Sequence, residues 1–414
     1  MKKLLSVTGF MALLTLMKMI SGFLIAKFVA IYAGPTGMAM LGQIQSIVTS
    51  FSGIVNAPVS SGLIRYTSEN IDYGYNKCAP WWKASLQWAL GILLIFIPLG
   101  ILFSSNLSIW LFDKDEYYWI IIVVCLTLPL NVINTLISSV INGQQKYKKY
   151  VLLGMISTVI STLIMLYFIY AYNIRGALIA ASINYSLYGV VMLISSVREP
   201  WFKFKYWFGS LEKYHLKKIG GYVIMAITSA LTVPLSLIII RNLLVDNFGW
   251  DNTGQWQAVW KISEVYLSII TISLSTYYLP RLSKLKNIKE IRTEINKTTI
   301  IIIPIVILSA LFIYIFRDFA ISVLFTDKFK TARDLFAIQL CGDVIKILSW
   351  IYAYPMISRG ATKLFVTSEI LFAITFIVFT YYFIGVYGIK GVNIAYLVNY
   401  ILYFIFVFCN LKKM

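Results

Sequence analysis

The sequence predicts an all-α polytopic membrane protein, with twelve transmembrane helices in two six-helix lobes related by a pseudo-twofold axis along the membrane normal. Three observations carry that prediction. Of the 414 residues, 59% are hydrophobic and only 13% charged, against about 25% charged in a soluble domain; the mean hydropathy is +0.79. The apolar residues gather into stretches of about 20, the length a helix needs to cross the hydrocarbon core. The second half of the chain also repeats the first at a nearly constant spacing.

The first span is expected at 5–32. Its start, MKKLLSVTGFMALL, has the form of a signal peptide. Lys18 interrupts the apolar region and no A-x-A cleavage site follows, so the segment reads as a retained helix. The remaining spans of the first lobe fall at 38–65, 81–104, 117–141, 150–172 and 176–197. Those of the second fall at 218–245, 255–280, 298–317, 333–357, 364–386 and 391–410. The lobes therefore cover 1–197 and 218–414, joined by a basic linker at 198–217. The longest connections, 198–217 and 281–297, are too short for a separate domain.

Orientation follows from Lys and Arg, which favour the cytoplasmic side. With both termini inside, 24 of the 36 basic residues lie in inner loops and seven in outer ones. Five remain at membrane depth: Lys18, Lys27, Arg241, Lys261 and Lys346. The net charge of +19 is explained by this asymmetry without invoking nucleic acid. The aromatic, basic linker REPWFKFKYWFGSLEKYHLKK is expected to lie against anionic headgroups.

The repeat is clearest where YNIRGALIAASINYSLY, from Tyr172, aligns with YGIKGVNIAYLVNYILY, from Tyr387, at a shift of 215. Gly34 maps to Gly249 by the same shift. Shortly beyond, GQIQSI at 42 echoes GQWQAVWKI at 254, and LFDKDE at 111 echoes LFTDKF at 324. Parallel repeats of this kind place a substrate path between two halves.

A charge at the bilayer centre costs about 2.5–3.5 kcal/mol on insertion scales, and such residues usually face a bundle interior or a wet cavity. Lys261 and Glu264, and likewise Asp343 and Lys346, lie three apart, so each couple shares a helix face and can pair. Structural ion pairing and proton uptake by Glu264 or Asp343 are both open readings. Glu369, with no basic residue three or four positions away, is a third coupling candidate. Lys18, Lys27 and Arg241 have no acid at helical spacing. Under the 215 shift Lys27 falls on Asn242, beside Arg241, so each half carries a cation at nearly the same place. Lys27 can also snorkel toward the outer interface. Lys18 and Lys27 are nine residues apart, about 900° of helix; both face one cavity only if the helix bends, and Gly22 lies between them. Five deep cations against Glu264 and Asp343 leave about +3, a cavity suited to an anion such as a diphosphate. Trp256, Trp260 and Tyr266 are candidates for stacking on sugars.

Enzymatic chemistry is not expected. No phosphate-binding loop, dinucleotide fingerprint, zinc-protease motif or nucleophile elbow occurs. The single histidine, His215, lies in the basic linker. Cys78, Cys125, Cys341 and Cys409 have neither metal nor redox spacing and read as small core residues. Neither metal nor cofactor is implied. A membrane glycan polymerase would need a large outward loop. A cation-coupled multidrug exporter would need an acidic cavity rather than a positive one.

Four stretches add a resemblance: KFVAIYAGPTGMAMLGQ at 27, RNLLVDNFGWDNTGQWQAVWKISEVYL at 241, YLPRLSKL at 278 and FRDFAISVLFTDKFKTARDLFAIQLCGDVIK at 316. Through them the whole chain resembles Wzx-type flippases of undecaprenyl-diphosphate-linked oligosaccharides, within the multidrug/oligosaccharidyl-lipid/polysaccharide superfamily. These flippases serve O-antigen units and the enterobacterial common antigen lipid. The resemblance implies a two-lobed bundle working by alternating access in a bacterial inner membrane. It further implies transfer of a lipid-linked oligosaccharide from the cytoplasmic to the periplasmic leaflet, for use by polysaccharide polymerase and chain-length machinery. A monomer is expected. Lys18, Lys27, Arg65 and Arg241 occupy places matching the family's cavity cations, which hold diphosphate and acidic sugars. Arg65, at the inner end of its span, equally serves as a positive-inside anchor.

Overall fold

A computed structural model describes residues 2–209, 213–285 and 287–411. Residues 210–212 of the linker, and Lys286, Lys412 and Lys413 among the inner cations, lie outside the described residues. All described elements are helical: α1 (Lys2–Tyr32), α2 (Gly34–Asn56), α3 (Ser61–Asn70), α4 (Tyr75–Leu102), α5 (Ser104–Phe112), α6 (Tyr118–Gly143), α7 (Tyr147–Ser196), α8 (Phe204–Trp207), α9 (Lys213–Ser273), α10 (Leu279–Lys284), α11 (Ile288–Ile315), α12 (Arg317–Leu324), α13 (Phe336–Ser358), α14 (Thr362–Tyr387) and α15 (Lys390–Asn410).

Ten stretches are long and apolar enough to cross a membrane, and the chain is a multi-pass membrane protein. Two of the ten, in α7 and α9, are the longest, at 50 and 48 residues. Each is interrupted by one non-helical residue, Asn173 (φ 51°, ψ −127°) in α7 and Gly249 (φ 77°, ψ 169°) in α9. Asn and Gly are the residues that tolerate such left-handed backbone.

Positive φ recurs with the period of the sequence repeat. Gly34 and Gly249, Gln145 and Gly360, and Asn173 and Gly388 are three such pairs, each 215 residues apart. Side-chain contacts recur too. Gln43 Nε2 donates to the Leu111 carbonyl at 3.2 Å, and Gln255 Nε2 to the Lys328 carbonyl at 2.8 Å. The paired GQ and LF-D-K motifs are thus the two ends of one latch, holding the turn after a short helix, α5 or α12. Asn184 accepts from Ser161 across Asn173, while Asn399 accepts from Thr375 across Gly388 at 2.6 Å. A Cβ on Gly176 would meet the Phe168 carbonyl, and one on Gly391 the Phe383 carbonyl. The backbones approach so closely there that only glycine fits.

Several expected elements are corrected. The span 38–65 is broken: α2 ends at Asn56, a 3-10 turn runs over Ala57–Val59, and α3 restarts at Ser61. Pro58 in that turn cannot donate a helical hydrogen bond. The expected 298–317 begins ten residues earlier as α11, because Ile291 and Ile295, one turn apart, are both buried. Beyond Ser273 the chain widens into a π-helical turn, Leu274–Tyr278.

The chain divides into two compact units, one of residues 1–32 and 40–235, the other of 33–39 and 236–414. The first unit takes in the linker, beyond the expected limit at 197. The reason is aromatic packing. Trp201 and Trp207 are buried, with Trp207 stacked on Trp82 at 5.1 Å, and the Trp88 indole donates to the Leu216 carbonyl. Only Phe204, Phe208 and Tyr214 of the linker aromatics stand largely exposed. Glu199 ties the linker to α7 through Lys149 (2.5 Å) and Lys146 (3.4 Å). Cys78 and Cys125 are buried as expected; Cys341 and Cys409 are exposed instead.

The first unit's polar core is neutral. Asn131 donates to Ser52 and accepts from Asn56 at 3.1 Å, Ser139 donates to the Val59 carbonyl, and Thr158 bonds the Tyr188 hydroxyl at 3.0 Å. The second unit packs Leu267, Tyr278, Ile295, Ile347, Ile351 and neighbours into an apolar core at one end of α13. Its charged groups lie further along the same helix.

Candidate functional site

The second unit gathers five of the deep charges named above onto α9 and α13: Arg241, Lys261 and Glu264 on the first, Asp343 and Lys346 on the second. Gln339, Asp343, Lys346 and Trp350 follow one another at intervals of four, three and four along α13, the spacing of a single helix face. On α9, Gln257, Trp260, Lys261 and Glu264 stand at i, i+3, i+4 and i+7, again a single helix face. Gly249 reverses the chain, so Arg241, eight residues before it, meets Gln257, eight residues after. The Arg241 Nε donates to Gln257 Oε1 at 2.8 Å, and its guanidinium lies 6.0 Å from the Trp256 ring. Arg241 is 2% exposed.

Asp343 is fully buried and fully satisfied. Its Oδ2 accepts from Ser263 Oγ at 2.7 Å and Tyr266 OH at 2.8 Å. Its Oδ1 accepts from Tyr396 OH at 2.8 Å and Gln339 Nε2 at 3.2 Å. Asn393 in turn donates to Gln339 at 2.8 Å. Four donors fill the four lone-pair sites of a carboxylate. The pairing open between Asp343 and Lys346 is therefore not made. Lys346 turns instead into a cage of Trp260, Trp350, Tyr396 and Tyr400, with its ammonium 5.1–5.7 Å from each ring centroid. Cation–π attraction of this kind is worth about 2 kcal/mol when desolvated.

The other spacing does yield a pair. Lys261 Nζ lies 3.3 Å from Glu264 Oε2, and the Trp260 indole donates to Glu264 Oε1 at 3.1 Å. The Glu264 side chain is 46% exposed. Glu369, on α14, is half-buried and acts electrostatically on Tyr400 and Tyr403.

The first unit holds the remaining cations. Lys18 is exposed and makes no hydrogen bond or ion pair among the described residues. Lys27 is half-buried. Helix α1 runs unbroken through Gly22, so the 900° between the two lysines turns them to opposite faces. Arg65, on α3, pairs with Glu69 at 2.8 Å with both side chains about half exposed. Such a surface pair contributes about 0–1 kcal/mol. Among the stacking candidates, Trp256 is fully buried and offers no ring face to a sugar; it packs on Trp260 at 5.3 Å. Tyr266 has its hydroxyl committed to Asp343. Sequence reasoning did not name Gln257, Ser263, Gln339, Trp350, Tyr396 or Tyr400. The available signal was the four-three-four spacing on α13 together with the repeated GQ motif.

The arrangement holds cations beside aromatic faces and offers one accessible carboxylate. A model of the family described as Polysaccharide biosynthesis protein matches residues 44–334, and the chain belongs to that family. It is 26% identical over 393 residues to the Lipid III flippases of Escherichia coli (strain K12) and Shigella flexneri, covering 94% of this chain and of each relative. Its fold is that of a multidrug resistance MATE family transporter of the MOP superfamily in the inward-facing conformation. There the TM-score is 0.78 and the identity 15%, over 97% of this chain and 95% of that one. The lipid II flippase MurJ, inward closed, matches with TM-score 0.76 and 13% identity over 99% and 87%.

Proposed function

We propose that the protein is a flippase. It carries an undecaprenyl-diphosphate-linked oligosaccharide, an O-antigen repeat unit, from the cytoplasmic to the periplasmic leaflet of a bacterial inner membrane by alternating access. The observation that carries this reading is the correspondence, along 94% of both chains, with flippases named for a lipid. Moving cargo without transforming it agrees with a site rich in cations and aromatics.

Reading α7 and α9 as two crossings each gives twelve spans in two related lobes with both termini cytoplasmic. The 215-residue recurrence of positive φ supports that count. Lys18 in the first unit and Arg241 in the second are the cations assigned to the diphosphate; Lys27, on the face of α1 opposite Lys18, does not join Lys18, and Arg65 meets the incoming headgroup at the inner surface. Trp260, itself buried, and Tyr266 are the remaining candidates for stacking on sugars. Glu264 and Glu369 are the carboxylates open to coupling, whereas the saturation of Asp343 favours a structural role for it. An anion leaving a negative-inside cell gains about 2.3 kcal/mol per charge per 100 mV, so the membrane potential alone can bias export. The product then passes to polymerase and chain-length machinery, with the flippase acting as a monomer.

The common antigen lipid is the alternative cargo, and the Lipid III flippases favour it. Complementation of strains lacking either flippase separates the two. Rescue of surface O-antigen alone supports the first cargo, and rescue of common antigen alone the second. Loss of rescue in a correctly inserted Lys18→Ala/Arg241→Ala double variant is expected; full rescue by it would remove the diphosphate role of these cations.

A further inference from the structure

Within the second unit, one acid pairs with one cation and lies near two more. Lys261 pairs with Glu264 directly, at 3.3 Å. The Arg241 guanidinium lies over Trp256, Trp256 packs on Trp260 at 5.3 Å, and the Trp260 indole is hydrogen-bonded to Glu264. Lys346 lies 5.6 Å from that same Trp260 ring. Glu264 acts electrostatically on Arg241 and, after Asp343, on Lys346.

The other deep acids are not equivalent to it. Asp343 is sealed by four donors and fully buried. Glu369 acts on the Tyr400 and Tyr403 hydroxyls. Glu264 accepts only two hydrogen bonds among the described residues, leaving about two of a carboxylate's four lone-pair sites unfilled. It is also nearly half exposed. Lys346 points the other way: its ammonium has aromatic faces around it and no hydrogen-bond acceptor among the described residues. A desolvated ammonium with three unused N–H groups is suited to a phosphoryl oxygen.

We infer that Glu264 is a built-in placeholder for the cargo's diphosphate. In the empty protein it is the paired anion of Lys261 and lies near Arg241 and Lys346 across the Trp256 and Trp260 rings; when a diphosphate binds, phosphoryl oxygens take over Lys261 and Lys346 and the carboxylate is displaced. This rests on the flippase reading and deepens it. Holding a carboxylate in the site lowers affinity for the anionic headgroup and offers the cations a replacement partner as cargo leaves. Glu264 therefore sets how tightly the headgroup is held and how fast it is released.

The test uses the full-length, detergent-purified protein with inorganic pyrophosphate as the probe, read by calorimetry and by the shift in thermal unfolding. Glu264→Gln keeps the side-chain shape and the acceptor for the Trp260 indole but removes the charge. It is expected to bind pyrophosphate about tenfold more tightly than the unaltered protein. Glu264→Asp, which keeps the charge, is expected to show no such gain, and adding Lys346→Gln to Glu264→Gln should abolish it. In proteoliposomes, Glu264→Gln should flip lipid-linked cargo more slowly through delayed release. Unchanged or weaker pyrophosphate binding by a Glu264→Gln protein that unfolds cooperatively overturns the inference, and so does an equal gain from Glu264→Asp. The flippase reading is judged separately: if the unaltered protein flips lipid-linked oligosaccharide while Glu264→Gln leaves pyrophosphate affinity unchanged, only the placeholder falls.

Discussion

The two units solve the same problem of polar groups at membrane depth in opposite ways. The first uses neutral hydroxyls and amides: Asn131 with Ser52 and Asn56, Ser161 with Asn184, Thr158 with Tyr188. The second builds around charge, with Asp343 clasped by four donors, Lys346 caged by four rings, and Arg241 buried on Gln257. Yet the backbones keep equivalent breaks 215 residues apart, and both GQ latches are made. The repeated parts are those that fix helix ends and close approaches. The parts that differ are the polar side chains within each unit's core, so the repeat keeps the scaffold and changes the chemistry it carries.

The sharpest way to break this comparison is to empty each polar core in turn. Asp343→Ala strands four buried donors on three helices. Each unsatisfied group costs about 1–3 kcal/mol, so the loss should be on the order of 3 kcal/mol or more, read as a lowered thermal midpoint in detergent. Asn131→Ala strands fewer and less polar groups and should cost about 1–3 kcal/mol. Equal losses would mean that the charged core is no more demanding than the neutral one.

A smaller effect tests the shared scaffold. Gly176→Ala and Gly391→Ala each drive a methyl into a backbone carbonyl, at 1.8 Å from Phe168 and 2.3 Å from Phe383. Overpacking of this kind typically costs about 1–3 kcal/mol. The two variants should be destabilised alike; a benign result at one position would show that the two close approaches are not equivalent.

The smallest effect belongs to the first unit's linker. Hydrogen bonding from Lys149 holds the Glu199 carboxyl below its ordinary value of 4.5. Its folded form is thus the better acid, and its contribution is present above 4.5 and lost as the pH falls through the lowered value. Glu199→Gln should cost no more than about 1 kcal/mol near neutrality and flatten the stability profile below pH 4.5. An unaltered acid limb would remove the linker tether from the account.

Much of this was legible in the residues. Hydropathy and length located the long apolar helices, because a bilayer demands them wherever they sit in the bundle. The 215 shift found Gly34 with Gly249 and the Tyr172 and Tyr387 stretches, because turns that need special backbone leave their residue types behind. The interruption at Pro58 and the polar start of α11 were missed. The first is a local break inside an apolar run; the second is a helix extended by two buried isoleucines whose neighbours are charged.

By itself, the sequence determined a multi-pass helical chain with a repeated plan and a set of deep cations, since composition and periodicity are properties of the covalent chain. Only the tertiary structure decided which charges meet. Asp343 and Lys346 stand three residues apart on one face and were free to pair. Instead Ser263, Tyr266 and Tyr396 arrive from α9 and α15 with better-placed donors, and the lysine turns to aromatic rings. Partner choice depends on what neighbouring helices bring within about 3 Å, a distance at which hydrogen bonds form and which spacing along one helix does not encode.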